Sequence, residues 1–328
     1  MPSPDLSSSS NLSRGYLFAL ASAAVLSTTA IFIRYLTQTF QMPALILAAW
    51  REFFVVVTLL PILVIFKPAL LKVNTKIFKY LVIYGLVLAA FNSFWTLSVS
   101  LNGAAVATVL AYCSAGFSAL LGWGFLKERL DWGKILAVLL TLSGCVLVSG
   151  ALQADAWSTN ILGIITGTLS GLAYAVYTLM GRKASLNGIN PWTTLLYIFF
   201  IAAIILTFTN LALGANLPGG AVHISDMLWL GNQTIGWLIL FLLAAGPTMV
   251  GFGLYNISLV NLPASVANLV LTLEPVFTAA IAYVLLGERM NLVQVIGSIL
   301  ILGGVVFLRI YQIRTTARKF PYSELTKN

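Results

Sequence analysis

Ten stretches of about 20 mostly apolar residues follow one another with little chain between them, and each is long enough to cross a bilayer as a helix. They cover residues 15–35, 43–66, 79–98, 104–125, 134–152, 161–180, 191–211, 235–254, 263–286 and 292–311. Lipid offers no water to backbone amides, so a spanning segment must satisfy its own hydrogen bonds, as a helix does. Charged residues make up 8% of the chain, against about a quarter in soluble domains. The chain therefore reads as an all-α membrane protein with almost no soluble domain.

Eighteen Lys and Arg against nine Asp and Glu give a formal charge of +9. These basic residues are not gathered into one patch with interleaved aromatics, which argues against nucleic acid as a partner. They are sorted by loop instead. With the N-terminus placed in the cytoplasm, fifteen of the 18 fall on the inward side, including Lys67, Lys72, Lys76, Lys127, Lys134, Arg182 and Arg309. Only Arg34 and Arg289 fall outside, and Arg51 lies within the second helix. The positive-inside rule thus predicts both termini in the cytoplasm. Residues 1–14 lack the apolar core of a signal peptide and are expected to be a disordered cytoplasmic tail, with a second tail at 312–328. Cys113 and Cys145 fall inside predicted helices, as small apolar core residues rather than disulfide or metal partners.

The chain also says much the same thing twice. Residues 99–130 and 259–290 align without a gap at an offset of 160, which carries Glu128 and Arg129 onto Glu288 and Arg289, Ala104 onto Ala264, and Gly144 onto Gly304. Ahead of each copy a weaker match at an offset of 148 pairs Gly15 with Gly163, Ser22 with Ser170 and Pro43 with Pro191. The reading is two five-helix repeats, 15–152 and 161–311. Five is odd, so the second enters the membrane from the opposite side. Loop charge agrees, since KERLDWGK is inside and basic while its copy GERMN is outside without lysine. Ten transmembrane helices in two inverted repeats are the mark of secondary carriers with a central site. Gly163, Gly167 and Gly171 recur every four residues and predict a face for close helix packing.

Each copy ends a short apolar helix in ERL or ERM and continues into a glycine-containing helix, ILAVLLTLSGCVLV and VIGSILILGGVVFL. This pattern, above all LTLEPVFTAAIAYVLLGERMNLVQVIGSILILGG, resembles the EamA repeat of the drug/metabolite transporter superfamily from about residue 15 to 311. The resemblance implies a ten-helix carrier of small organic molecules. Its cavity would be lined mainly by helices one, three, four, six, eight and nine, with the fifth and tenth peripheral. Two departures stand out: Ala115 occupies the place that Pro275 holds in the second copy, and AAVLSTTAIF in helix one lacks the family's frequent tryptophan.

A charge at the bilayer centre costs at least about 2.5 to 3.5 kcal/mol, so intramembrane ionisable residues come first. Three qualify: Arg51, Glu52 and Glu274. Glu274 is followed by Pro275, which removes a backbone donor and frees a carbonyl near Leu271. Glu274 is expected to bind a substrate amine or carry a coupling proton, with a structural pairing to Arg51 or a hydrogen bond to a neighbouring helix as the alternative. Arg51 and Glu52 are adjacent, about 100° apart around the helix, and so are not expected to face the same neighbour. Arg51 could hold a carboxylate or phosphate, or else form a helix-packing salt bridge, whereas Glu52 is assigned a structural role.

Asn92 and Trp95 share one helical face. With Tyr112, Ser114, Tyr174, Tyr177, Tyr255 and Asn268 they supply the aromatic walls and few polar groups that suit a small amphipathic solute. The predicted substrate-binding or coupling set is Glu274, Arg51, Asn92, Trp95, Tyr112, Tyr174 and Asn268. Trp50, Trp132, Trp157, Trp192 and Trp229 lie near helix ends, as interfacial tryptophans do.

An intramembrane enzyme fits badly, because the one histidine, His223, lies in an outward loop and no aspartate lies inside a predicted helix. A scaffold would need a larger loop. A gated channel or facilitator for a small polar solute is the alternative to the favoured reading, a secondary exporter of amino acids or related metabolites in a bacterial inner (plasma) membrane. No cofactor or metal is called for; the partners are a small-molecule substrate and the lipid bilayer, with a coupling proton and a homodimer left open.

Overall fold

The computed structural model describes residues 6–148, 161–286 and 291–319. Trp157, Glu288 and Arg289 lie outside the described residues, as does the side chain of Arg34. The described elements are helical: α1 (Leu6–Leu26), α2 (Thr29–Thr39), α3 (Ala44–Phe66), α4 (Thr75–Tyr112), α5 (Ser114–Leu126), α6 (Trp132–Val148), α7 (Ile161–Leu186), α8 (Pro191–Leu213), α9 (Thr234–Leu243), α10 (Met249–Asn261), α11 (Ala264–Leu271), α12 (Glu274–Leu286) and α13 (Leu292–Lys319). Among the described residues eight helices are long and apolar enough to cross a membrane, and Trp132–Leu147 and Ala264–Thr278 are shorter apolar helices.

Helix ends depart from the sequence expectation where local chemistry decides. α1 is already helical at Leu6 and α13 continues to Lys319, both beyond the expected limits of the terminal helices. The two are tied together: Tyr16 donates to Gln312 Oε1 at 2.7 Å, and the Arg309 guanidinium sits 4.4 Å over the Tyr16 ring and donates to Ser13 Oγ at 3.0 Å. The expected gap between the third and fourth stretches is absent, since α4 runs through it for 38 residues. At the corresponding place in the second copy the chain does break, between α10 and α11, at Leu262 and Pro263. Proline has no N–H to continue the ladder; its counterpart Gly103 keeps one.

A second pair of breaks falls in register. α5 begins at Ser114 and α12 at Glu274, 160 residues apart. Pro275 accompanies only the second break, so Ala115 does not abolish the first. Both breaks are tightened turns: Cys113 N–H reaches the carbonyls of Val109 and Leu110 at 3.3 and 3.2 Å, while Thr272 and Leu273 N–H bond to Leu269 and Val270. α1 gives way to α2 at Ser27 and Thr28, whose hydroxyls bond back to Ala24 and Val25 carbonyls at 2.6 and 2.7 Å, a competition that bends helices.

Small residues set the closest packing. A Cβ on Gly167 would meet Leu110 Cδ1 at 2.5 Å and Ser98 Oγ at 2.6 Å, and one on Gly171 the Leu110 carbonyl oxygen at 2.6 Å. The Gly163 carbonyl accepts from Ser98 Oγ at 2.8 Å. The predicted glycine face of α7 thus lies against α4. α6 and α13 pack on each other through reciprocal contacts: a Cβ on Gly144 would lie 2.6 Å from the Gly297 carbonyl oxygen, and one on Gly304 would lie 3.0 Å from the Ala137 carbonyl oxygen. Residues 137 and 297 are themselves 160 apart. Gly133, at the start of α6, lies against the Tyr311 ring near the end of α13, so the two helices run antiparallel.

The two ends of the bundle are closed by different means. At one, Asn210 donates to the Leu45 carbonyl at 3.0 Å, Trp50 Nε1 to the Met227 carbonyl at 2.6 Å, and Trp229 Nε1 to the Phe40 carbonyl at 3.0 Å. At the other, Arg182 Nη1 donates to the Leu259 and Val260 carbonyls, each at 2.7 Å, and Glu128 reaches the N-terminus of α11.

Candidate functional site

The paired breaks place polar groups where a continuous helix would bury only apolar ones. Asn268, three residues before Leu271 at the end of α11, is 1% exposed. Its Nδ2 donates to Ser118 Oγ at 3.0 Å and to Thr178 Oγ1 at 3.1 Å, and its Oδ1 accepts from Ser114 Oγ at 3.0 Å. One amide therefore joins α5, α7 and α11. Thr178 Oγ1 and the Tyr255 hydroxyl share a further hydrogen bond at 2.8 Å. Sequence reasoning named Asn268 but not Ser118 or Thr178. Their signal was faint, because isolated hydroxyl residues are common in membrane helices and usually bond to their own backbone.

Beside this network stands a wall of aromatic rings. Tyr174, Tyr177 and Tyr255 lie nearly parallel, with centroids 5.7 to 6.4 Å apart; Phe91 packs 4.8 Å from Tyr174, and Phe252 meets Tyr177 edge-on at 5.9 Å. The Tyr177 hydroxyl donates to Asn256 Oδ1 at 3.4 Å. Glu274 begins α12, where its carboxyl group lies within electrostatic reach of Tyr112 and Tyr174. Three predicted residues, Tyr112, Tyr174 and Glu274, are thereby brought together. Glu274 does not pair with Arg51, which is engaged elsewhere.

Arg51, Glu52 and Asn92 form a closed triangle between α3 and α4. Arg51 Nη2 donates to Glu52 Oε1 at 3.1 Å and to Asn92 Oδ1 at 2.9 Å, and Asn92 Nδ2 donates to Glu52 Oε1 at 2.7 Å. The expectation that Arg51 and Glu52 could not share a neighbour is overturned. Their Cα–Cβ bonds do diverge, but the long arginine stem curls back across the gap, and Asn92 sits where both heads can reach it. Glu52 is fully buried. Its Oε2 and Arg51 Nε have no hydrogen-bond partner among the described residues, although most buried polar atoms do have one. Glu52 also acts electrostatically on Tyr177. Trp95, a helical turn beyond Asn92, is half-buried and takes no part in the triangle.

The expected interfacial tryptophans divide. Trp132 is exposed, whereas a Cβ on Gly253 would touch the Trp192 ring at 2.7 Å, so Trp192 is a packing residue as well.

The site thus combines buried amides, hydroxyls, a carboxyl group and stacked aromatic rings at interrupted helices, with no group of three or more His, Cys, Asp or Glu arranged to hold a metal among the described residues. The sequence matches the model of the EamA-like transporter family twice, over residues 13–150 and 161–310, and the chain belongs to that family. An uncharacterized transporter of Archaeoglobus fulgidus is 25% identical over 291 residues, 87% of this chain and 92% of its own. A probable amino-acid metabolite efflux pump of Escherichia coli is 28% identical over 287 residues, 83% of this chain and 87% of its own. A crystal structure superposes with a TM-score of 0.75 at 16% identity, covering 92% of this chain and 99% of the other, a likeness of fold. The protein is an integral multi-pass membrane transporter, not an enzyme, and its bacterial and archaeal relatives support a plasma-membrane location.

Proposed function

We propose that the protein is a secondary carrier that exports amino acids or related small metabolites by alternating access. In this reading ten membrane helices form two inverted five-helix halves, 15–152 and 161–311, with both termini in the cytoplasm. The reciprocal antiparallel packing of α6 on α13 supports the inversion, and the loop charges support the orientation. One observation carries the proposal: Asn268 joins the break in the first half to helices of the second through three hydrogen bonds. A polar node shared by both halves is what a site that changes sides requires.

The substrate class follows from the groups on offer. Glu274 and Tyr112 supply an acceptor and a hydroxyl for an ammonium group, or Glu274 carries a coupling proton. Glu52 Oε2 and Arg51 Nε supply a further unpaired acceptor and donor, and the tyrosines receive an apolar side chain. The amino-acid assignment also draws on the name of the E. coli relative.

The test is saturable flux in proteoliposomes with a panel of amino acids and their derivatives. The native protein should show it, and Asn268→Leu should lower kcat/KM for transport at least tenfold while the protein still purifies folded. Glu274→Gln should abolish the pH dependence of flux. A native protein without saturable flux for any member of the panel refutes the carrier. Linear flux that never saturates favours the channel.

A further inference from the structure

The end of the bundle that holds Glu128 is closed by a cluster of charges that the candidate site does not include. Glu128 Oε1 accepts from Ala264 N–H at 2.6 Å, and Oε2 accepts from Ser265 N–H at 3.3 Å and from the Ser265 hydroxyl. The carboxylate of the first repeat therefore caps the N-terminus of α11 in the second, where both charge and hydrogen bonding favour an anion. Lys134 Nζ donates to Ser265 Oγ at 3.0 Å and lies 3.9 Å from Glu128 Oε2. Their side chains are 7% and 9% exposed, lysine first. Arg182 and Asp131 also act electrostatically on members of this pair.

The local backbone is shaped to deliver Glu128. Lys127 adopts the left-handed conformation, φ 54° and ψ 30°, and turns the chain back so that Glu128 N–H bonds to the Gly122 carbonyl at 3.0 Å. Gly122 leaves the space that the carboxylate fills, since a Cβ there would lie 2.9 Å from Glu128 Oε2.

The reciprocal position keeps the acid but not the rest, since α4 runs unbroken past Ala104, the residue that corresponds to Ala264. Glu288 corresponds to Glu128 and Ala104 to Ala264, yet Ala282 stands for Gly122, Gln294 for Lys134 and Ala105 for Ser265. Space, ammonium and hydroxyl are all replaced.

We infer that Glu128 is the gating residue of this end of the bundle. It latches the two halves together, and the end can open only when the latch releases. By sequence the corresponding Glu288 lacks the glycine, lysine and serine that hold Glu128, so the Glu128 latch is the stronger of the two and the resting protein holds its end shut. The meaning of this for transport rests on the alternating-access reading; the latch itself does not.

Hydrogen exchange of the full-length protein in nanodiscs, read by mass spectrometry, tests it without any substrate. Glu128→Gln keeps the side-chain shape, but turns one acceptor into a donor aimed at donors and removes the attraction for Lys134. Exchange in peptides covering 262–271 should rise at least tenfold in Glu128→Gln. It should rise about threefold in Lys134→Met, which leaves the cap in place and carries the test if the first variant does not fold. Glu288→Gln should change the same peptides less than twofold. Unchanged exchange in a folded Glu128→Gln, or in Lys134→Met where it stands in, overturns the latch; an equal rise in Glu288→Gln overturns the asymmetry. Parallel proteoliposome flux separates the two readings. Faster exchange with no flux even in the native protein sinks the carrier and keeps the latch, while normal flux with unchanged exchange does the reverse.

Discussion

The triangle of Arg51, Glu52 and Asn92 makes a quantitative claim that can fail. Each charge is compensated by the other and by one amide, at 2.7 to 3.1 Å, with Glu52 wholly out of solvent and Arg51 7% exposed. Removing one member of a buried pair leaves the other uncompensated, at a cost of about 3 to 5 kcal/mol. Arg51→Met and Glu52→Gln should each destabilise by that amount. The double variant strands no charge, and the amide carbonyl introduced at position 52 can still accept from Asn92 Nδ2. It should lose only about 1 to 2 kcal/mol, the scale of one or two net hydrogen bonds. The double variant would then be more stable than either single one. Reversible unfolding in mixed micelles, followed by circular dichroism, gives the four free energies of the cycle. Losses that add to within about 0.5 kcal/mol, as they do at independent sites, would refute the pairing.

Two glycines of similar sequence context should respond oppositely to alanine. Gly171 faces only backbone, with the Leu110 oxygen at 2.6 Å and the Ala111 oxygen at 3.2 Å, so Gly171→Ala should cost about 1 to 3 kcal/mol by overpacking. Gly303 has nothing within 4 Å of a Cβ, and Gly303→Ala should gain up to about 1 kcal/mol from helix propensity; one unfolding series measures both. Lys127 is strained at φ 54°, and a non-glycine residue there costs about 1 to 2 kcal/mol. Lys127→Gly should therefore raise the midpoint of thermal unfolding, and a lowered midpoint would refute the strain argument. Replacing Thr178 with valine removes one donor–acceptor link to Asn268 and should weaken substrate binding several-fold in the flux assay, with KM changed more than kcat.

Element type was legible because lipid leaves a long apolar stretch little choice; the breaks that start α5 and α12 obey the offset of 160, but each fell inside a stretch read as one helix. The joins were less so. Whether the chain breaks between the third and fourth stretches depends on one residue, and Pro263 against Gly103 decides it differently in the two copies. Side-chain reach was the other blind spot. Helical angle separated Arg51 from Glu52, but an arginine head lies several bonds from its Cβ and is placed by tertiary packing. Glu128 was visible only as part of a repeated motif on a predicted basic loop. Its role comes from meeting Ala264 and Ser265, 136 and 137 residues further along, a contact no local pattern reports. At the aromatic wall, by contrast, Tyr174, Tyr177 and Tyr255 could be named in advance, since large amphipathic rings inside membrane helices need a reason to be there.

The reciprocal contact between α6 and α13 bears on how freely such a chain can change. In the proposed reading of two inverted halves, Gly144 and Gly304 are one position of the repeat, and so are the carbonyls at 137 and 297 that they face. In a pair of separate copies any mutation there would strike both sides at once, doubling its benefit or its harm, which favours small residues at the crossing. In a single chain each side of the crossing can change separately, and so can the acids at 128 and 288, whose sequence surroundings do not match. A transporter that must distinguish inside from outside needs that freedom, while the glycine pair keeps α6 and α13 in register.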